Sequence, residues 1–341
     1  MQRQARLFAP FTTCLLFLFT AAASAQPEAA IPPALTTPDT VETGIGTLEF
    51  QDGAPTVETA QKVQATIAFA RAVEAYHNSF RGASAYAMSQ GLQRIGAEDN
   101  AIVIFSELMD SNSLFLTANA DTVYYMAAFD LTGGPLVLEQ PPLGLGTIND
   151  MWFSWIIDVG FPGPDRGEGG RYLLVPPGYE GPLPEGGFYI ARSKTNSVLY
   201  AARSFLTEGK PEPTVALIKK TLKVYPYTPG GPGTSIATAL EGKVRLGQGP
   251  AVPETKFIEG TGKAFKTIPH PDHTFFEMVN ANLQAEPATS YDVELAGQLA
   301  AIGIVKGKPF APDARMQHIL GEAAKIGNAW GRSLNWRFAE S

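Results

Sequence analysis

The feature that most limits the fold is the stretch over residues 101–206, where short runs rich in Val, Ile, Tyr and Phe are broken by turn residues and no helical period intervenes. Strands spaced that closely leave no room for the crossover helices that parallel pairing needs, so they must pair mainly antiparallel. The candidate strands are residues 101–105, 122–131, 135–139, 152–159, 171–175, 188–192 and 198–205. Thr132-Gly133-Gly134 reads as a hairpin turn between the second and third of these, and Thr195-Asn196 as another hairpin turn. Helical patterns flank the region. Val63, Ile67, Ala70, Val73, Tyr76 and Phe80 recur at intervals of three and four, and a second stretch follows Gly82 through Met88 and Leu92, which predicts a helical pair over residues 57–95. After Pro213, the residues Val215, Ile218, Leu222 and Tyr225 share one face of a helix ended by Pro226. Thr274 and Glu277 have the spacing of a capping box ahead of Phe276, Val279 and Leu283. Two more helices fall near residues 291–302 and 312–330. The expectation is an α+β protein, an antiparallel β-sandwich or barrel flanked by N-terminal and C-terminal helices.

The ends of the chain speak of location. Arg3 and Arg6 precede an apolar run, and Ala23-Ser24-Ala25 supplies the small residues of a signal-peptidase site, so residues 1–25 read as a signal peptide. The expected location is periplasmic or secreted, after cleavage near Ala25. The single cysteine, Cys14, lies inside that signal, so cysteine nucleophiles and thiolate metal sites are excluded from the processed chain. Residues 26–55, rich in Pro, Thr and Ala, read as a linker or surface arm. Residues 56–225 then hold the helical pair and the β-sandwich, and residues 226–341 a glycine- and proline-rich connection followed by helices. A formal net charge of −7 makes nucleic acid a poor partner. No segment beyond the signal has the length of an integral membrane span.

Four motifs resemble one family. Asn119-Ala120-Asp121-Thr122-Val123-Tyr124, the loop over residues 158–172 with its Leu173-Leu174-Val175-Pro176-Pro177-Gly178-Tyr179 continuation, Arg192-Ser193-Lys194-Thr195-Asn196, and residues 302–310 are similar, in that order, to the exported bacterial proteins of domain-of-unknown-function family twelve fifty-four. The resemblance implies fold and lineage more than activity. Members of that family usually have proline where this chain has Ala120, which implies a less rigid turn here. They usually continue into a second, jelly-roll-like β domain, family twelve fourteen, near where this chain stops. An apolar helix face carrying Met316, Ile319, Leu320, Ile326 and Trp330 would then lack its cover, and self-association is expected.

The chemistry concentrates in two places. Asn119, Asp121, Thr122 and Tyr124 put amide, carboxylate, hydroxyl and phenol groups at the start of a strand, as a ligand-binding set or as a turn that caps its own backbone. In residues 158–172, Asp158, Asp165 and Glu168 accompany Arg166 and Arg171 on a backbone shaped by glycine and proline. Asp158 and Asp165 are the candidate catalytic pair, since carboxylates in different environments can divide acid and base roles, and an arginine can hold a carboxylate or phosphate bidentately. The alternative is an internally salt-bridged loop. Trp155, with Trp152 before it, stacks on a ligand ring or joins the core. Arg192 and Asn196 complete the ligand-binding candidates, and Arg203, a charge in an apolar run, calls for a carboxylate partner from the loop. His270-Pro271-Asp272-His273 offers divalent-metal ligands without helical spacing; helix initiation is its default role and no cofactor is expected. No Gly-x-Ser-x-Gly elbow, His-Glu-x-x-His helix, phosphate loop or dinucleotide fingerprint occurs. The expected function is binding of a small polar molecule in a cleft lined by carboxylates and arginines, with acid-base hydrolysis or elimination open to the carboxylates. The alternative is a non-enzymatic cell-envelope assembly or protein-interaction module.

Overall fold

A computed structural model describes residues 36, 38–98, 100–115, 118–242 and 244–339, so the signal peptide lies outside the described residues. The chain divides into two compact units, residues 1–61 and 62–341. In the first, β1 (Thr40–Thr43), β2 (Gly46–Gln51) and β3 (Ala54–Pro55) form an antiparallel sheet in that order, within the stretch read as a linker or arm. The Thr59 hydroxyl accepts the Glu49 amide at 2.8 Å and ties this sheet to the first turn of α1 (Val57–Arg94).

The helical pair expected over residues 57–95 is this one helix of 38 residues. Gly82 does not break it. A Cβ there would lie 2.5 Å from the Trp152 ring, so the glycine admits an indole to the helix surface. The buried stripe is also displaced from the expected one: Ala72, Ala75, Tyr76, Ser79 and Ala83 face inward, whereas Ile67 and Phe80 are exposed. Small side chains on that stripe let Phe275, Phe276 and Trp152 pack against the helix.

After α1 come β4 (Ile102–Ile104), β5 (Ser113–Leu114), β6 (Thr122–Asp130), β7 (Leu136–Gln140), β8 (Gly144–Asp150), β9 (Trp155–Gly160), β10 (Gly170–Val175), β11 (Tyr189–Arg192) and β12 (Ser197–Phe205). α2 (Pro211–Thr221) precedes β13 (Lys223–Pro226), and α3 (Ile236–Leu240), β14 (Phe257–Glu259) and β15 (Phe265–Lys266) follow. α4 (Thr274–Ala285), α5 (Val293–Ala300) and α6 (Ala314–Ala339) close the chain. One sheet has the order β14-β4-β6-β12-β8-β9 and another β11-β10-β7-β13, while β15 pairs with β5. The pairing is mostly antiparallel; β10 with β11, β14 with β4 and β15 with β5 are parallel. The two large sheets share one core, in which Tyr125, Phe129, Ile148 and Tyr200 of the first meet Leu138, Tyr172, Leu174 and Val224 of the second. The protein is therefore α+β with sandwich-like sheets, and no sheet among the described residues closes into a barrel.

Both expected hairpins are instead crossings between sheets. The Gly134 amide closes a turn on the Leu131 carbonyl, but β6 and β7 lie in different sheets, as do β11 and β12. Turn chemistry sets a local reversal and does not decide which strand the chain pairs with next. Strand β8 escaped the sequence reading because Gly144 and Gly146 look like loop residues; a Cβ on Gly146 would meet the Ala201 carbonyl at 2.5 Å, so the glycine serves close packing of strands. Leu222 to Tyr225, expected at the end of a helix, turn extended after α2, whose C-cap Leu222 has φ −71° and ψ 120°. The capping box at α4 does not form. Asp272 takes the Thr274 amide at 2.9 Å, and no capping bond comes from the side chain at the N-cap, His273.

Candidate functional site

A cleft of about 720 Å³ opens at the end of the four-stranded sheet where β10, β11 and β13 begin and β7 ends. Register builds it. Glu139 on β7 is paired across one side with Arg171 on β10 and across the other with Lys223 on β13, which places an anion between two cations in a single row. Alternation turns Leu138, Tyr172 and Val224 of the next row into the sandwich core, so the charged row faces the opposite way. On that outer face Val137, Leu173, Val175, Tyr225 and Tyr227 form their own apolar cluster with Phe188 packed against it. The charges sit at its rim.

Arg171 Nε donates to Glu139 Oε1 at 3.1 Å, and the Tyr225 hydroxyl donates to the same oxygen at 2.7 Å. Burial, then the Glu139 carboxylate, push the Tyr225 phenol well above its ordinary range, so it keeps its proton and stays a donor. Glu139 is thereby held in place, and Arg171 with it. Lys220 from the end of α2, Glu168 from the loop and the aromatic pair Phe188 and Tyr189 complete the lining, with Gln140 and Gly169 to Arg171 as the floor. Gly169 adopts φ +82°, and a Cβ there would come within 2.9 Å of the Gln140 carbonyl, so only glycine lets the loop lie this close to β7.

Asp165 lies on the core side of the same loop. It is 4% exposed and accepts the Gly160 amide at 2.7 Å and the Tyr172 hydroxyl at 2.6 Å through Oδ1, while its Oδ2 is buried without a hydrogen-bond partner among the described residues. Burial and the bond to Asp165 keep the Tyr172 phenol protonated. Deeper in the core, Tyr200 donates to Gln140 at 2.6 Å, and Tyr125 shares a bond with Ser204 at 3.1 Å. Burial pushes the Tyr125 hydroxyl up to about 12. Gln140 thus joins the cleft floor to an internal polar network.

The remaining sequence candidates divide by location. Asp158 belongs to the row Met126, Ala201, Thr147, Asp158 on the outer face of the six-stranded sheet, since Val159 points into the core. Asp158 and Asp165 therefore project to opposite sides of β9 and share no surface. Thr122, Tyr124 and Arg203 lie on the same outer face as Asp158. Arg203, paired across strands with Tyr124, places its guanidinium 5.9 Å from that ring's centroid; the ring is the partner that was expected to be a loop carboxylate. Asn119 accepts the Thr122 hydroxyl at 2.6 Å and caps its own turn, and Asp121 is exposed beside it. Trp152 is core, its indole N–H donating to Ser290 at 3.0 Å, whereas Trp155 is 66% exposed. Arg166 is exposed on the loop at φ +50°, and Arg192 is exposed at the end of β11 remote from the cleft. Asn196 is tied to the end of α4, its amide on Glu286 at 2.5 Å and its side chain on the Ala285 carbonyl at 2.9 Å. His270 contacts Lys266, and His273 faces Glu277 at 3.9 Å.

Of the expected site residues the cleft gathers Arg171, with Glu168 from the same loop. Glu139, Lys220, Lys223, Tyr189 and Tyr225 were missed. A charge closing the apolar run Leu136-Val137-Leu138 and one opening Lys223-Val224-Tyr225 were the available signals, but only the pairing of β7 with β13 brings them together.

Residues 100–226, which include every residue lining the cleft, match the family model described as "Protein of unknown function (DUF1254)". The match falls on the segment that carries three of the four resembling motifs. No curated protein matches the chain. Among solved structures, the crystal structure of the VPA0106 protein from Vibrio parahaemolyticus is similar, with a TM-score of 0.50 at 15% identity, over 80% of this chain and 60% of that one. The likeness shows a shared fold, and the chain spans about 60% of that protein's length. No helix among the described residues is long and apolar enough to cross a membrane.

Proposed function

We propose that this chain is an exported member of that family, acting in the periplasm by binding a small polar, anionic molecule in the cleft at the end of the four-stranded sheet. The observation that carries this reading is the charge arrangement: Arg171, Lys220 and Lys223 face Glu139 and Glu168 around a cavity of about 720 Å³, and Glu139 is already engaged by Arg171 and Tyr225. A cation is left in surplus where a ligand's carboxylate or phosphate would sit. Phe188 and Tyr189 offer a flat apolar side to the same space, which suits a ring or a short chain bearing the charge. The separation of Asp158 from Asp165 removes the expected catalytic pair from a common site, so the reading is binding, with Glu139 and Glu168 as the carboxylates of the cleft.

A thermal-shift screen against neutral sugars, sugar acids, small carboxylates, phosphates and divalent metals tests it, because a ligand that binds only the folded chain raises Tm by mass action. Anionic compounds should raise Tm in the wild type, and those that bind at the Arg171 cleft should raise it less in Arg171→Gln. A panel with no anion-specific shift would remove the reading. One observation favours a protein-interaction module as the second reading: Trp155, Phe161 and Phe205 are all exposed, and Trp155 opens the edge strand β9. Retention of a cell-envelope protein by the wild type and not by Trp155→Ala, with no ligand in the screen, would select it.

A further inference from the structure

A second cleft, about 330 Å³, lies between the C-terminal half of α1, the segment leaving β15, and α4. Three regular patterns aim side chains into it. Tyr86, Gln90 and Arg94 follow one another at four-residue spacing along α1, and Thr274, Met278 and Ala281 line the facing side of α4. Between them Lys266, Ile268 and His270 alternate with the buried residues Phe265, Thr267 and Pro269, so all three point outward into the cleft. Lys266 Nζ lies 3.0 Å from His270 Nε2. With the Lys266 ammonium as donor, the ring nitrogen accepts, which holds the two side chains together at the cleft. Arg94 adds a second cation to the same cavity. Glu277 is the carboxylate in the lining, and it faces His273 at 3.9 Å. Asp272, beside His270, is occupied by the Thr274 amide. Each of the three elements also contributes apolar surface to the lining, through Tyr86, Ile268 and Met278.

We infer that this cleft is a binding site for a small organic anion, its charge taken by Lys266 and Arg94 and its apolar body laid on Tyr86, Ile268 and Met278. It is separate from the Arg171 cleft and shares no residue with it. The charge is worth recognition because two cations from different elements, Arg94 of α1 and Lys266 of β15, line the cavity beside one carboxylate, and the apolar residues make a bare inorganic ion a poor occupant.

The test uses the full chain and the His270 ring signal in a proton–carbon NMR spectrum, assigned by its loss in His270→Gln. Benzoate, benzyl alcohol and inorganic phosphate are titrated separately. Benzoate should shift the His270 signal saturably, with an apparent affinity at least about tenfold above that of benzyl alcohol or phosphate, the size of one effective ion contact. Lys266→Met, which keeps the stem and removes the charge, should abolish the benzoate response without changing the far-ultraviolet dichroism. No saturable response to benzoate, an equal response to phosphate, or an unchanged response in Lys266→Met would overturn the assignment. Because Arg171→Gln leaves this cleft intact, loss of the benzoate response in that variant would also count against it.

Discussion

Replacing Glu286 by Gln should change how stability depends on pH. Glu286 is 1% exposed at the end of α4, and burial raises its carboxyl from 4.5 to about 7, against the opposing pull of the Asn196 and Ser197 amides and of Lys306 and with a further push from Asp150. The unfolded chain releases this proton near 4.5 and the folded chain only near 7. Between those values the folded state binds more protons, so stability falls as pH rises; the contribution is whole below about 4.5 and lost once pH passes about 7. At about 1.4 kcal/mol per pH unit of displacement, the full loss is at most about 3.5 kcal/mol, of which about 2.5 kcal/mol falls between pH 5 and pH 8. Glutamine keeps an acceptor for one of the two amides and cannot ionise, so Glu286→Gln should lack this slope. His77, lowered by burial, acts with the opposite sign below its ordinary value of 6.5, but it is common to both proteins and cancels in the comparison. Urea unfolding of both proteins at pH 5, 6.5 and 8 is the assay. The wild type should lose up to about 2.5 kcal/mol relative to the variant across the series. Parallel pH profiles would refute the argument that the buried carboxyl is ionised at the cost of stability.

Three further outcomes follow from the same geometry. Asp165→Ala removes the acceptor of a buried amide and a buried phenol and should cost about 2–4 kcal/mol in urea unfolding, while Asp165→Asn keeps an acceptor and should cost less than half of that; equal costs would show that packing, not hydrogen bonding, is lost. Gly82→Ala improves helix propensity by about 1 kcal/mol but drives a methyl into the Trp152 ring, an overpacking worth about 1–3 kcal/mol, so the variant should melt lower; a higher Tm would mean that Trp152 yields without strain. Expression with the native leader should give a periplasmic protein whose intact mass begins at Gln26, and retention of residues 1–25 in a cytoplasmic product would contradict export.

Strands were legible where alternation and β-branched runs coincide, as in β6, β10 and β12, whose observed limits differ from the expected ones by a residue at most. They were not legible where glycine serves packing, as in β8, because the residues that end strands elsewhere are the ones that admit a neighbouring backbone there. Single residues could be placed, but partners could not. Arg203 was read as a charge needing company, and a cross-strand ring supplies it. The loop over residues 158–172 was read as one charged surface, yet alternation in β9 and the turn after it send Asp158 outward and Asp165 inward. Arg171 lies in the cleft for a reason the sequence does not contain: Glu139 and Lys223 share its row because β7 pairs with both β10 and β13.

The central claim is that the Arg171 cleft holds an anion. Calorimetric titration of the best compound from the thermal-shift screen into the wild type and into Lys223→Gln and Arg171→Gln measures this directly. Lys223 makes no hydrogen bond through its side chain to Glu139, so its removal should weaken binding by about tenfold while leaving unfolding stability within about 0.5 kcal/mol of the wild type, and Arg171→Gln should weaken binding further. Equal affinity in all three proteins, with the compound still bound at one site per chain, would place the ligand elsewhere and contradict the account.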